Sequence, residues 1–519
     1  MLRNLTSLRS CLNNPLKVIS VPQSRDLCST MSSEKSKKIS ESFVNRVKSR
    51  LSSFNPQFLF KRGEIDVLHS PEKFYETIKS KIASAEDRIF LASLYVGTSE
   101  EELIDCLSSA LSRNKKLKAY FLLDGLRGTR ESPKACSASL LSRLVDEHGD
   151  RVDFRLYRTP ALTRLKEALI PRRFNEGIGL QHMKIYGFDD EVILSGANLS
   201  KDYFTNRQDR YYCFKSKSFA DYFFMLHQLV SGVSYKVAFS SSEKRYKTLW
   251  PSSNLAPEPN SDQSAFYREC SRLLSDFLDK AKGDEMIESG SSLYPTSVFP
   301  ISQFTPLFEK RKDLSTEKRS ILTVLSEMKD QSINWTFTAG YFNMLPSIKT
   351  LLLRSPSEFG KVITASPHAN GFFESKGVSK HLPNAYLYLC QKFLKDVEKS
   401  GKNKHIDVFE WKKGIVNKPG GWSYHAKGIW LSESDLDDTR PALTIIGSSN
   451  YTRRAYSLDL ESNALIITND SDLRGKMQDE IDNIMTYASK VTLEDFKTEE
   501  ERRISTGVKM ATSLLGKRL

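Results

Sequence analysis

The sequence predicts an α/β protein made of two similar halves, each a sandwich of mixed sheet and flanking helices. Three observations carry that expectation. Buried-strand patterns alternate with helical patterns, the order that builds strand–helix layers. The same order of elements returns after about 250 residues. Each copy then offers a His-x-Lys, followed by a small-residue turn that closes on Asn.

Taken in order, residues 1–31 come first. They hold Arg3, Arg9, Lys17 and Arg25 against a single acid, Asp26, and are rich in Ser and Thr. Leu2, Leu5, Leu8 and Leu12 fall on one arc of a helical wheel. Basic, amphipathic and poor in acids is the pattern of a mitochondrial presequence.

The first half is expected over 45–239. RIFLASLYVG (88–97) reads as a buried strand, and the helical EEELIDCLSSAL follows it. Strands KLKAYFLLD (116–124) and VDFRLYR (152–158) come next. Residues 240–264, rich in Ser, Pro and Asn, read as a linker. The second half, 265–489, repeats the series: NWTFTAGYFN (334–343), helical MLPSIKTLLL, KVITAS (361–366) and IDVFEWK (406–412). Residues 490–519 alternate in charge and read as a helical tail without chemistry.

The first motif is QHMKIYGFDDEVILSGANLS, with His182 and Lys184; the second is YHAKGIWLSESDLDDTRPALTIIGSSNYT, with His425 and Lys427. Residues two apart on a strand share a face, so each His and Lys project together. The turns SGAN and GSSN end at Asn198 and Asn450, and eleven residues beyond each Asn stands an acid, Asp209 or Glu461. The nine extra residues of the second motif fall in a polar loop around Ser432–Pro441, where an insertion leaves a site intact.

Imidazole titrates near neutrality and can attack phosphorus. An acid that accepts from one ring nitrogen sets the tautomer and frees the other, a role suited to Asp209 and Glu461. Lys184, Lys427, Asn198 and Asn450 would donate to non-bridging phosphate oxygens as charge develops. One His would attack while the other serves as acid and then base. Two lysines can replace a metal, so neither metal nor cofactor is expected. Ser195 and Ser449 in the turns, with Arg207 and Arg210, are candidate substrate contacts; Arg453 and Arg454 are further phosphate candidates.

Composition narrows the partners. With 39% hydrophobic and 27% charged residues the chain is neither disordered nor collagen-like, and no run of 18 apolar residues suggests a spanning helix. The net charge of +14 calls for anionic partners. Seven scattered cysteines without a C-x-x-C argue against a disulfide framework or a structural zinc.

These motifs resemble the phospholipase D superfamily, whose signature is H-x-K-x4-D followed by a small-residue turn ending in Asn. The first copy is complete through Asp189; the second has Ser432 in that place. Read on its own, Asp189 is a turn residue of the FDDE hairpin. The resemblance implies two phospholipase D-like halves about a pseudo-twofold axis, one shared site and a phosphohistidine intermediate. The blocks 170–211, ASPHANGFF (365–373) and GWSYHAKGIWL (421–431) are similar to the eukaryotic mitochondrial phosphatidylglycerophosphate synthases. That resemblance covers roughly residues 55–490. It implies CDP-diacylglycerol and glycerol 3-phosphate as substrates, phosphatidylglycerophosphate and CMP as products, and a place in the cardiolipin pathway. By superfamily habit His182 attacks and His425 handles the protons.

A membrane-embedded substrate must then be met from the surface. RLYRTPALTRLKEALIPRRF (155–174) carries six basic residues against Glu167, with Leu162, Leu165 and Leu169 on one expected helical stripe ended by Pro171. Such a segment suits peripheral contact with an anionic mitochondrial membrane, on the matrix side. Trp411, Trp422 and Tyr424 could line the acyl or cytosine region or pack in the core. The rival readings are a phosphatidylserine synthase or phospholipase D, a nucleic-acid phosphodiesterase, and an inactive scaffold. The similar blocks argue against nucleic acid, and two intact His-x-Lys pairs argue against the scaffold.

Overall fold

The computed structural model describes residues 42–281, 292–433 and 438–516. Each half builds one nine-stranded sheet, and both sheets follow the same plan. In the first, Arg88–Ser93, Lys118–Asp124 and Val152–Tyr157 run parallel. Ile185–Phe188, Glu191–Ser195, Tyr211–Lys215 and Ile65–Leu68 then extend it antiparallel. In the second, Ile333–Ala339, Gly360–Ala365 and Ile406–Trp411 are the parallel trio. Lys427–Glu433, Leu443–Gly447, Glu461–Thr468 and Thr296–Gln303 extend it. Arg88–Ser93 and Ile333–Ala339 are buried almost throughout because both of their faces are covered, whereas Val152–Tyr157 and Ile406–Trp411 alternate buried and half-buried residues.

Helices cover the outer faces. In the first half, Pro71–Ser84, Glu101–Arg113 and Ser137–His148 bury Phe74, Leu107 and Leu141 against the sheet. Ser70 starts the first of these by accepting from Lys73 N, with Pro71 at the first helical position. The inner faces share one core: Leu194 and Phe214 of one sheet join Ile446, Ala464 and Ile466 of the other. The twofold arrangement therefore has a hydrophobic basis. Each sheet hides one face under its own helices and the other against its twin.

Three expected boundaries need correction. The helix Phe43–Ser52 and the strand Phe58–Phe60 are not part of the first half. Phe43, Val47 and Leu51 sit in the second half's core, and Phe58 pairs with Val298. The 240–264 segment is not only linker: Tyr246–Leu249 pairs with Tyr235–Phe239, and the helix Gln263–Ala281 begins inside it. The tail is anchored. Val491 ends an edge strand, Phe496 enters the second core, and Asn343 Nδ2 donates to Gly516 O at 2.7 Å. An apolar stripe buries itself against whichever face the tertiary structure offers, and adjacency in sequence does not name that face.

Residues 1–31 lie outside the described residues. Among the described residues no helix is long and apolar enough to cross a membrane.

Candidate active site

Backbone bridges between the halves build the site. His182 N donates to Leu460 O at 2.9 Å, and Leu460 N donates to Leu180 O at 2.8 Å. The twofold mate repeats this: His425 N donates to Gln208 O at 2.8 Å, where Ser423–Tyr424 pairs in parallel with Arg207–Gln208. Leu460 immediately precedes Glu461, and Gln208 immediately precedes Asp209. The bridges therefore set each histidine beside the acid of the other half.

The side chains follow. His182 Nδ1 lies 2.9 Å and 3.0 Å from the two Glu461 oxygens. His425 Nδ1 lies 2.7 Å from Asp209 Oδ2. A carboxylate at Nδ1 can accept that nitrogen's proton, which leaves Nε2 free to react, although Lys427 Nζ also lies 2.6 Å from His425 Nδ1. Lys184 Nζ donates to His182 O at 2.6 Å, while Lys427 Nζ stands 3.4 Å from Asp209 Oδ2.

Burial dominates the electrostatics. Both imidazoles are held well below the ordinary histidine range, first by desolvation and then by the neighbouring lysine. They are neutral at neutral pH, as a nucleophile and a proton acceptor must be. Burial also pushes Lys184 down to about 7, Lys427 down to about 8 and Glu461 up to about 7, and it raises Asp209. Groups so displaced by desolvation gather where chemistry is done.

The two turns serve the fold before they serve a substrate. A Cβ on Gly196 would stand 2.5 Å from Asp209 Oδ1 and 2.6 Å from Lys427 Nζ, so this glycine makes room for the catalytic groups themselves. Gly447 has φ of 153° and yields space to Asn463. Ser195 Oγ donates to Arg210 O at 2.7 Å and accepts from Ala197 N. Ser449 accepts from Tyr451 N, and its own N donates to Asn463 Oδ1 at 3.2 Å. Both serines hold turn geometry instead of facing a ligand. The two asparagines differ. Asn198 is engaged by Leu94 N and by Tyr203 Oη, whereas Asn450 Oδ1 is buried without a hydrogen-bond partner among the described residues.

Two other candidates are structural. Asp189, at φ of 50°, accepts from the backbone N of Glu86, Asp87 and Arg88 at 2.8–2.9 Å and clamps the start of a strand. Ser432 lies within the strand Lys427–Glu433. Arg210 is fully buried between the halves. It pairs with Glu480 at 2.8 Å, donates to Ile445 O at 2.7 Å and stacks over Trp430 at 3.9 Å. With its donors spent there, Arg210 has none for a substrate. Arg207 stays at the rim beside His425, paired with Asp202 at 2.6 Å and donating to Ser423 Oγ at 2.8 Å. Trp411 and Tyr424 stack on one another in the core.

Several residues carry no sequence signal. Tyr203 Oη lies 3.3 Å from His425 Nε2, and Tyr203 and Tyr341 both stand edge-on to that ring. Ser448 Oγ donates to Glu461. Glu317, wholly buried, is pushed up to about 8, first by burial and then by the charge of Glu461. Only Ser448 was within reach of inspection, as a hydroxyl inside the second turn.

Known proteins are similar to this chain over nearly its whole length. No family model matches the chain. The CDP-diacylglycerol–glycerol-3-phosphate 3-phosphatidyltransferase of Saccharomyces pastorianus is 58% identical over 483 residues, 92% of either chain. The Schizosaccharomyces pombe protein of that name is 40% identical over 512 residues, covering 92% of this chain and 98% of its own. The Mus musculus protein, named as mitochondrial, is 32% identical over 490 residues, covering 89% of this chain and 84% of its own. In fold, the chain is similar to the phosphatidylserine synthase of Haemophilus influenzae. The TM-score is 0.65 at 19% identity, with 91% of this chain and 97% of that one covered. Identity of this extent, over nearly the whole length, places the chain in the family of CDP-diacylglycerol–glycerol-3-phosphate 3-phosphatidyltransferases.

Proposed function

We propose that this protein transfers the phosphatidyl group of CDP-diacylglycerol to glycerol 3-phosphate, giving phosphatidylglycerophosphate and CMP. The carrying observation is the crossed pairing of two neutral histidines with two carboxylates, flanked by two lysines.

His182 Nε2 attacks the lipid-bearing phosphorus. A P–N bond forms, the P–O bond to CMP breaks, and CMP leaves as the phosphate anion without a proton from the neutral His425. Glu461 stabilises the cationic phosphohistidine through Nδ1–H. The acceptor hydroxyl then gives its proton to His425 and attacks the same phosphorus, and the P–N bond breaks to restore His182. Lys184, Lys427 and Asn450 face the non-bridging oxygens, and the lysines supply the positive charge that a metal would otherwise bring. Two in-line displacements retain configuration at phosphorus. The choice of His182 as nucleophile is supported by its greater exposure, 13% of the side chain against 7% for His425, and by the Tyr203 hydroxyl already at His425 Nε2.

The site is mitochondrial by this reading, reached from the matrix face of a membrane. The expected stripe is revised. Leu162 is buried, and the short helices Arg164–Leu169 and Arg172–Asn175 instead expose Leu165, Leu169 and Phe174 by 61–73%. That apolar tip, flanked by Arg164 and Lys166, suits an anionic lipid surface. Replacing all three with Asp should abolish flotation with cardiolipin-containing vesicles; unchanged flotation would remove this contact.

The decisive assay offers glycerol 3-phosphate, serine and water together to CDP-diacylglycerol in mixed micelles with EDTA. Phosphatidylglycerophosphate with CMP is the expected product, identified by mass. Phosphatidylserine or phosphatidic acid as the main product would overturn the acceptor.

A further inference from the structure

Glu176 stands six residues before His182 in the sequence, and two guanidinium groups share its carboxylate. Arg130 Nε donates to Oε1 at 2.7 Å while its Nη2 reaches Oε2, and Arg127 Nη1 stands 3.7 Å from Oε2. Arg454 Nη2 donates to the Glu176 carbonyl at 2.7 Å, although Asp459 already balances its charge. Glu176 is the carboxylate the two arginines share, and the exposed Glu131 also acts on Arg130. Arg127 and Arg130 line a cavity of about 590 Å³ whose walls also carry Tyr95, Lys201 and the carboxylates Glu100, Glu131 and Asp202; Glu100 accepts from Lys201 N and Asp202 pairs with Arg207. Arg127 also lies over the Tyr95 ring at 4.8 Å.

The cluster is wired to the catalytic backbone. Asp124 accepts from Arg127 N at 2.8 Å through one oxygen and from Gln181 N at 3.0 Å through the other. Gln181 immediately precedes His182. Asp459, the partner of Arg454, accepts from Leu180 N at 3.0 Å. Arg127, Arg454 and the nucleophile are thus held in one frame, as a site must be if it fixes a substrate's far end against a reacting atom.

We propose that Arg127 and Arg130 receive the phosphomonoester dianion of the acceptor, with Glu176 holding the two guanidiniums in place while the site is empty. This rests on the reading of the acceptor as glycerol 3-phosphate, and it makes the pair the element that separates a phosphorylated acceptor from serine, glycerol or water. Planar guanidinium groups suit a phosphate bidentately. Phosphate chemistry occurs on the donor as well, so the test must tell the two sources apart.

Arg127→Gln and Arg130→Gln are to be assayed with each substrate varied in turn, and with glycerol as an acceptor lacking phosphate. The acceptor KM for glycerol 3-phosphate should rise about 10- to 100-fold in each variant, the scale of one charge-assisted contact. The preference for glycerol 3-phosphate over glycerol should fall by a similar factor. Inorganic phosphate should raise the melting temperature of the parent enzyme and protect both variants less, a readout that needs no turnover. Arg130→Lys, which keeps the charge, should recover part of the affinity and serves if the Gln variant does not fold. The proposal falls if the donor KM moves in place of the acceptor KM, or if glycerol and glycerol 3-phosphate lose activity equally. Failure of the parent enzyme to make phosphatidylglycerophosphate would overturn the acceptor reading instead, while the phosphate-dependent melting shift would still report on the arginines.

Discussion

His182 and His425 are built from the same parts and end in different company. Glu461 meets His182 with both oxygens and takes a further bond from Ser448. Asp209, one methylene shorter, meets His425 with one oxygen and has Lys427 beside it. Asn198 is spent on Leu94 and Tyr203, and Tyr203 in turn caps His425; Asn450 Oδ1 is buried with no partner among the described residues. The difference lies at equivalent turn positions. Ser448 can donate to the acid behind it, while Gly196, its counterpart, leaves a gap that Asp209 and Lys427 fill. A duplicated motif supplies two imidazoles, and their unequal surroundings are what the proposed division into nucleophile and proton carrier rests on.

The largest effect that would break this comparison is in the histidines themselves. Either alanine variant should lose at least about 10⁴-fold in transfer. They should fail at different steps. CMP is a phosphate leaving group whose second pKa is about 6, so its departure needs little acid help. His425→Ala should therefore still form the phosphatidyl adduct on His182 and stall there, visible by acid quench and mass analysis. His182→Ala should form none. An adduct on residue 425 would reverse the assignment.

Next in size, the crossed pairing predicts which acid governs which half-reaction. Glu461→Gln should slow adduct formation by about 10²- to 10³-fold, while Asp209→Asn should slow adduct breakdown by a comparable factor. Rapid-quench kinetics separates the two. The opposite pattern would mean that each acid serves the histidine of its own half.

The smallest effect sharpens the electrostatics. Glu461, raised to about 7, loses its charge as pH falls through that value, so kcat/KM should drop on the acid side. Lys184 and Lys427, lowered to about 7 and about 8, lose their protons as pH rises, so kcat/KM should drop again there. A maximum between these limbs is expected, each apparent value belonging to the coupled set. Ser448 donates to Glu461 and lowers its pKa, so Ser448→Ala should move the acid limb upward and cost about 3- to 10-fold near neutrality. An unmoved limb would assign it to another group.

Much of this was legible in the chain. The first two parallel strands of each half are largely buried on both faces, so local pattern and tertiary role coincide there. They appear where expected, ending at Ser93 and Ala339, two residues short of Tyr95 and Tyr341. The His-x-Lys pairs and the acids eleven residues past each Asn were likewise readable, because chemistry restricts residue type. Arg210 was misjudged for the converse reason: a charged residue beside a motif looks exposed, and only Glu480, distant in sequence, shows that it is a buried tie between halves. Asp189 was ambiguous in the same way, since a signature aspartate and a strand clamp are the same letter.

By itself, the sequence determined the repeated α/β plan and the identities of the reacting groups, because strand periodicity, small-residue turns and nucleophilic side chains are local requirements. Only the tertiary structure decided that His182 answers to Glu461 and His425 to Asp209. That choice is made by hydrogen bonds from His182 N to Leu460 O and from His425 N to Gln208 O, which exist only once the two sheets have buried their inner faces against each other.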